Sequence, residues 1–260
     1  MRLLLALTLL AAPAHADGRV PYPWLDHAPL GDDLALRVAP PAGTSRIPLA
    51  EGSFGDWLRH LPLLPSGEAV HLYDGRLKSR QDVHAAIVDL DVGTRDLQQC
   101  ADAVMRLRAE YLFAAHREGE IRFHPDEKTV LAWKGGSDRK QFGKYLINVF
   151  AEAGTASLAA ELPRPRPLRA RDVRPGDVLI QGGSPGHALL VLDAADAADG
   201  KRWLMLGQSY MPAQQFHVVR NLDDRSMNGD PWFDADTLDK SGLQTPEWRA
   251  FTLKDVRRFN

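Results

Sequence analysis

The chemistry open to this chain centres on Cys100, its only cysteine. A thiolate is the reactive form of cysteine, and the free N–H groups and dipole of a helix N-terminus stabilise it. Cys100 sits where such a helix should start, since Asp96 is a good N-cap and Gln99 three residues on completes a capping-box pattern. A nucleophilic thiol also needs a base, for which histidine is best suited. Among the histidines, His187 has the best setting. It follows the loop Gly182-Gly183-Ser184-Pro185-Gly186 and opens the apolar run Ala188-Leu189-Leu190-Val191-Leu192. A strand that begins with His places the imidazole at a sheet end, where a helix N-terminus can face it.

The group that orients the base follows from hairpin geometry. If the turn after this strand is centred near Ala198, position 187 falls opposite position 209, give or take about a residue. The orienting side chain should then come from Gln208, Ser209 or Tyr210. Gln208 has the amide for the task, and His217 is the reserve choice. The expected catalytic set is Cys100, His187 and Gln208. Tyr210 and Trp133 are the expected substrate contacts, because tryptophans could line a glycan or peptide groove.

Rival chemistry is weaker. Gly182-Gly183-Ser184-Pro185-Gly186 fits G-x-S-x-G, but a nucleophile elbow needs a helix next, and here a strand follows Ser184. There is no HExxH and no paired-cysteine ligand set. Asp89 and Asp91 could share a strand face without any spaced histidine, and no Gly-rich phosphate loop leads into a helix. No metal and no cofactor are expected. A lone cysteine on an apolar helix face is also a common core residue, so a non-catalytic binding protein is the competing class.

The elements that must position these groups can be read in outline. A helix is expected from about Leu97 to His116, with Leu97, Cys100, Val104, Leu107, Tyr111 and Ala115 on one face. Before it, Leu34–Val38 reads as a strand, Ser53 as the cap of a short helix, Val70–Tyr73 as a strand with an Asp74-Gly75 turn, and His84–Val92 as a buried strand. After it come a short strand at Ile121–Phe123 and helices over Phe142–Phe150 and Ser157–Leu162. An irregular Pro/Arg-rich crossing follows, then strands at Asp177–Gln181, His187–Asp193, Trp203–Gln208 and Gln215–Val219. Mixed elements followed by antiparallel strands define an α+β protein.

The N-terminus has the parts of a cleavable signal peptide over residues 1–16. Arg2 is followed by an apolar run to Ala12, then Pro13 and the small-x-small site Ala14-His15-Ala16. The run is shorter than the ~20 residues a spanning helix needs. The protein is therefore expected to be exported, to the periplasm or beyond, with no integral membrane segment after cleavage. Residues 17–260 are expected to form a single elaborated domain with its core at about 84–220. A net charge of −2 over 260 residues gives no reason to expect nucleic acid as a partner.

Several long stretches carry a resemblance. DLQQCADAVMRLRAEYL (96–112), AGTASLAAEL (153–162), GDVLIQGGSPGHALLVLD (176–193), QSYMPAQ (208–214) and TPEW (245–248) resemble an uncharacterised bacterial exported family. It is known as a domain of unknown function, number four thousand eight hundred forty-six, and implies no activity. The segment RPGDVLI…GHALLV (174–191) is similar to NlpC-type papain-like cysteine peptidases, where Pro-Gly-Asp opens one strand and a His opens the next. In that family a Cys at a helix N-terminus comes earlier, and a polar residue on a later strand orients the His. Cys100, His187 and Gln208 match in type and order. The residues flanking Cys100 and the long interval to His187 depart from the family pattern. The resemblance implies a papain-like core, a Cys-bearing helix on an antiparallel sheet with N- and C-terminal elaborations. It also implies an exported thiol hydrolase or acyltransferase acting on a cell-wall peptide or a related amide.

Overall fold

The computed structural model describes residues 20–166, 168–222 and 231–260. The expected signal peptide, residues 1–16, lies outside the described residues. The helices are α1 (Leu34–Arg37), α2 (Phe54–Arg59), α3 (Cys100–Ala114), α4 (Arg139–Glu152) and α5 (Thr155–Glu161). The strands are β1 (Thr44–Arg46), β2 (His84–Ile87), β3 (Arg122–Phe123), β4 (Leu131–Ala132), β5 (Asp177–Gln181), β6 (His187–Ala197), β7 (Arg202–Gln208), β8 (His217–Val219), β9 (Trp232–Asp234), β10 (Leu243–Thr245), β11 (Trp248–Phe251) and β12 (Val256–Arg258). The architecture is α+β. One antiparallel sheet runs β12-β5-β6-β7-β8-β2, with β1 paired to β6 and β9 to β7.

Strand β6 is apolar because both faces of the sheet are covered. Successive side chains of a strand point to opposite faces. Ala188, Leu190 and Leu192 join Ile180, Met205 and Val218 in the cluster that includes α3. Leu189 and Val191 join Leu179, Leu204 and Leu206 under Phe233, Leu238, Phe251 and Val256. Helix α3 lies inside the protein, with all of its residues buried. Two of its charged side chains are ion-paired there. Glu110 accepts from Arg139 at 2.7 Å and 3.1 Å, and Arg106 donates to Asp91 at 2.7 Å.

The N-terminal segment is fastened to the sheet by charge. Asp193 of β6, 1% exposed, accepts from Arg46 of β1 at 2.6 Å and from Arg59 of α2 at 2.8 Å. Ser53 caps α2 as its sequence indicates, accepting the Asp56 N–H. Two expected strands change character. Leu34–Arg37 is a turn of helix, because the Asp33 side chain accepts the Leu36 N–H at 2.7 Å and closes a capped turn. The segment around Val70–Tyr73 makes isolated bridges at His71 and Leu72 in place of a ladder. Gly75 supplies the positive φ of 83° at its Asp74-Gly75 turn.

Candidate functional site

Helix α3 begins at Cys100 itself, three residues later than its apolar spacing indicates. Residues 97–99 form tight turns instead, with Leu97 N–H bonding Arg95 O and Gln99 N–H bonding Leu97 O. Gln99 is the N-cap, and its N–H donates to Asp102 Oδ2 at 3.0 Å. Asp96, the expected cap, accepts the Ala213 N–H at 2.7 Å and the Gln99 side chain at 3.0 Å. Ser209 Oγ donates to Gln214 O at 2.7 Å and lies 3.1 Å from Gln98 O. These bonds lash the start of α3 to the loop that follows β7. The later helix start puts the sulfur at the first helical residue, where N–H groups are unused by the helix.

The backbone N–H groups of Ala188, Ala101 and Cys100 itself lie near enough to the sulfur to favour its thiolate. The nucleophile candidate therefore lies beside the start of β6, one residue from His187. His187 in turn donates from Nε2 to Gln208 Oε1 at 2.8 Å. Hairpin β6–β7 is centred on Asp199 at its tip, one residue past the expected turn centre, since Asp196 faces Arg202. An extra residue in β6 at Leu192 then shifts the register, so that Leu190 faces Gly207. Continued past the end of β7, this register brings His187 opposite Tyr210, and their ring centroids are 4.9 Å apart. Both Gln208 and Tyr210 thus reach His187.

His217, the reserve candidate, stands behind Gln208. Its Nδ1 lies 3.0 Å from Gln215 O, and its Nε2 lies 3.3 Å from Gln208 Nε2. A carbonyl can only accept, so His217 carries its proton on Nδ1 and its Nε2 accepts from the Gln208 amide. The other Gln208 N–H donates to Glu247 Oε2 at 2.8 Å. The amide oxygen therefore faces His187, which must carry its proton on Nε2. The lone pair of His187 sits on Nδ1, the nitrogen left to act as a base.

The site is closed. Cys100 is 7% exposed, and His187 and Gln208 are each 1% exposed. Trp248 covers His187 at 5.1 Å between ring centroids, and Phe251 lies at 6.4 Å. Burial pushes the Cys100 thiol up to about 11, against the pull of the backbone N–H groups near it. Burial also lowers His187 to about 4 and His217 to about 3. At neutral pH the pair rests as thiol and neutral imidazole. Burial likewise raises the Asp102 carboxyl to about 8.

Trp133 lies elsewhere. It stands past the C-terminal end of α3, next to β4, with its ring 5.3 Å from Phe142 and 5.5 Å from Tyr145 and its Nε1 bonded to Gly136 O at 2.9 Å. Ser184 is exposed in the β5–β6 loop, and strand β6 follows it where an elbow would need a helix. Sequence reasoning missed Lys78 and Glu247. Glu247 lies within TPEW, a stretch whose place in the fold its sequence did not reveal, and Lys78 carries no motif. A cavity of about 670 Å³ opens beside Leu97 and Gln98, bordered by Trp24, Arg95, Arg139 and Phe150, without Cys100 or His187 in its lining. Among the described residues no cluster of three or more His, Cys, Asp or Glu side chains could hold a metal ion. No described helix is long and apolar enough to cross a membrane.

An α+β protein with a buried Cys, His and Gln at one sheet end is the class these observations define. The chain belongs to the family described as domain of unknown function (4846), whose model matches residues 34–135 and 127–258. Comparison with curated proteins and with solved structures returned no match.

Proposed function

We propose that this protein is an exported thiol hydrolase or acyltransferase of papain-like type, acting on a cell-wall peptide or a related amide. The observation that carries the reading is the placement of Cys100, at the first residue of α3, near the Ala188 N–H, which follows a His187 held by Gln208 at 2.8 Å. The order helix-Cys, strand-His, polar orienter is that of the NlpC-type peptidases.

In this reading the Cys100 proton passes to Nδ1 of His187 as the sulfur attacks the substrate carbonyl carbon. The N–H groups of Cys100 and Ala101 hold the developing oxyanion. The imidazolium returns its proton to the leaving amine as the C–N bond breaks. Water, or an acceptor amine for transfer, then attacks the thioester with His187 again as base. Gln208 keeps the imidazole in the tautomer that can do this. Tyr210 and Trp248 would line the entrance to His187, whereas Trp133 packs on Phe142 and Tyr145 of α4.

A second reading has its own observation. Cys100 and His187 are buried at 7% and 1% exposure, which suits a binding protein that keeps the fold without turnover. An amidase screen on cell-wall peptide fragments separates the two. Release of amine by the native chain, lost in Cys100→Ala, supports the enzyme. No release with binding retained supports the second reading, and equal release by both proteins removes Cys100 from the chemistry.

A further inference from the structure

Strands β10 and β11 form a hairpin separate from the main sheet, and its tip carries Pro246 and Glu247. The hairpin is fastened over the end of β5. Gln181 Oε1 accepts from Trp248 Nε1 at 3.0 Å and from Arg249 Nε at 2.6 Å, and Gln181 Nε2 donates to Ala250 O at 2.9 Å. This anchorage holds the tip against the site. The Glu247 side chain is 9% exposed and pairs with Lys78 Nζ at 2.5 Å, whose side chain is 5% exposed. Its other oxygen accepts from Gln208 Nε2 at 2.8 Å. Tyr210, which packs on His187, donates its hydroxyl to the Glu247 carbonyl at 2.9 Å and lies under Lys78, 5.4 Å from the ring centroid.

Two charges this deeply buried are costly unless they are paired and bonded. Replacement by an apolar pair would often stabilise a fold as well, so stability alone does not account for this arrangement. A carboxylate accepts and cannot donate, whereas an amide can do either depending on its orientation. We infer that Glu247, held in place by Lys78, is a positioning residue that fixes the Gln208 amide and, through it, the proton on Nε2 of His187.

This rests on the proposed Cys100–His187 chemistry and extends it to the C-terminal hairpin. Lys78 holds the Glu247 carboxylate in place. Glu247 forbids the flipped amide, whose nitrogen would face His187 and demand the Nδ1–H tautomer. That tautomer leaves no lone pair for the thiol. His217, the longer contact at 3.3 Å, holds the second amide proton and is not enough alone to exclude the flip.

The test is a paired variant, Lys78→Met with Glu247→Gln, which removes both buried charges and leaves neither unpaired. Its folding is checked by thermal melting. The amide introduced by Glu247→Gln can donate to a flipped Gln208, so the constraint is lost while the packing is kept. The ¹⁵N shifts of His187 should report Nε2–H in the native chain and a mixture of tautomers in the variant. Iodoacetamide alkylation of Cys100 at neutral pH should slow by about tenfold or more, the order expected when a fixed histidine loses the partner behind it. Glu247→Asp, which keeps the carboxylate, should restore part of the rate. If the folded paired variant keeps the Nε2–H tautomer and the native rate, the inference is overturned. His187→Ala is the separate control. If it leaves alkylation unchanged, the Cys100–His187 chemistry itself fails, whatever the tautomer does.

Discussion

Two buried histidines should each draw stability from this protein on acidification, and replacing His217 should remove half of that share. His217 is buried and lowered from 6.5 to about 3, and His187 from 6.5 to about 4. Because these folded-state values lie below the unfolded one, the unfolded chain takes up the protons first. Stability from each group is therefore full above the ordinary value of 6.5 and is lost as the pH falls from there toward about 4 for His187 and about 3 for His217. At about pH 5 the unfolded imidazole has gained roughly 1.5 pH units of protonation free energy, or about 2 kcal/mol, that neither buried ring shares. Both together take about 4 kcal/mol from a total that is only about 5–15 kcal/mol for an ordinary domain. Asp102, raised to about 8, returns roughly 3 kcal/mol over the same interval, so urea unfolding at about pH 7.5 and about pH 5 is read as a difference between native chain and variant. His217→Gln cannot take a proton and keeps hydrogen-bonding capacity, so acidification should cost it about 2 kcal/mol less than the native chain. An unchanged pH dependence in His217→Gln would refute the assignment of a neutral, buried His217.

Other perturbations have equally definite outcomes. Asp102 has its carboxyl raised from 3.8 to about 8 by burial, so the unfolded chain releases that proton first and the native chain loses stability as the pH climbs between those two values, with no further loss above about 8. Asp102→Asn keeps an oxygen for the Gln99 N–H, and its gain in melting temperature over the native chain should grow between about pH 4 and about pH 8 and then level off. Asp193→Ala leaves Arg46 and Arg59 without their shared carboxylate and should cost about 3–5 kcal/mol in chemical unfolding, with earlier proteolysis around β1 and α2; a loss below about 1 kcal/mol would mean the N-terminal segment is held by apolar packing alone. Gln208→Ala should slow Cys100 alkylation with the Nε2–H signature of His187 lost, while the melting temperature moves less than for Asp193→Ala; native ¹⁵N shifts would contradict the hydrogen-bond chain.

Much of this site could be read from residue types and local pattern. A lone cysteine near a helix start and a histidine opening an apolar strand are local features, and local features survive translation into structure. Gln208 is within reach of hairpin arithmetic for a less direct reason. The β6–β7 turn lies one residue beyond the assumed centre, which moves the partner of His187 by two positions, and the irregularity at Leu192 takes one of them back. These partly cancelling offsets leave the right neighbour close by. The helix starts later than expected because Asp96 has the composition of an N-cap, yet its carboxylate is used by Ala213, far along the chain. The strand expected over Leu34–Val38 fails for a similar reason, since Asp33 closes a capped turn there. Glu247 and Lys78 lie 169 positions apart, and no periodicity connects a loop lysine with a hairpin tip. Nor could the sequence reveal that Trp133 belongs with Phe142 and Tyr145, because six tryptophans offer equal apolar surface until packing separates them.

The central claim is that His187 is the base for Cys100. It is tested most directly by the rate of Cys100 alkylation by iodoacetamide in the folded chain and in His187→Ala. His187 is neutral above about pH 4, so it can take the thiol proton as the sulfur attacks, and near pH ~7 the native chain should react about a hundredfold faster than His187→Ala. Equal rates in the two proteins, or a Cys100 that reacts only once the protein is unfolded, would contradict this and leave the cysteine a residue of the core.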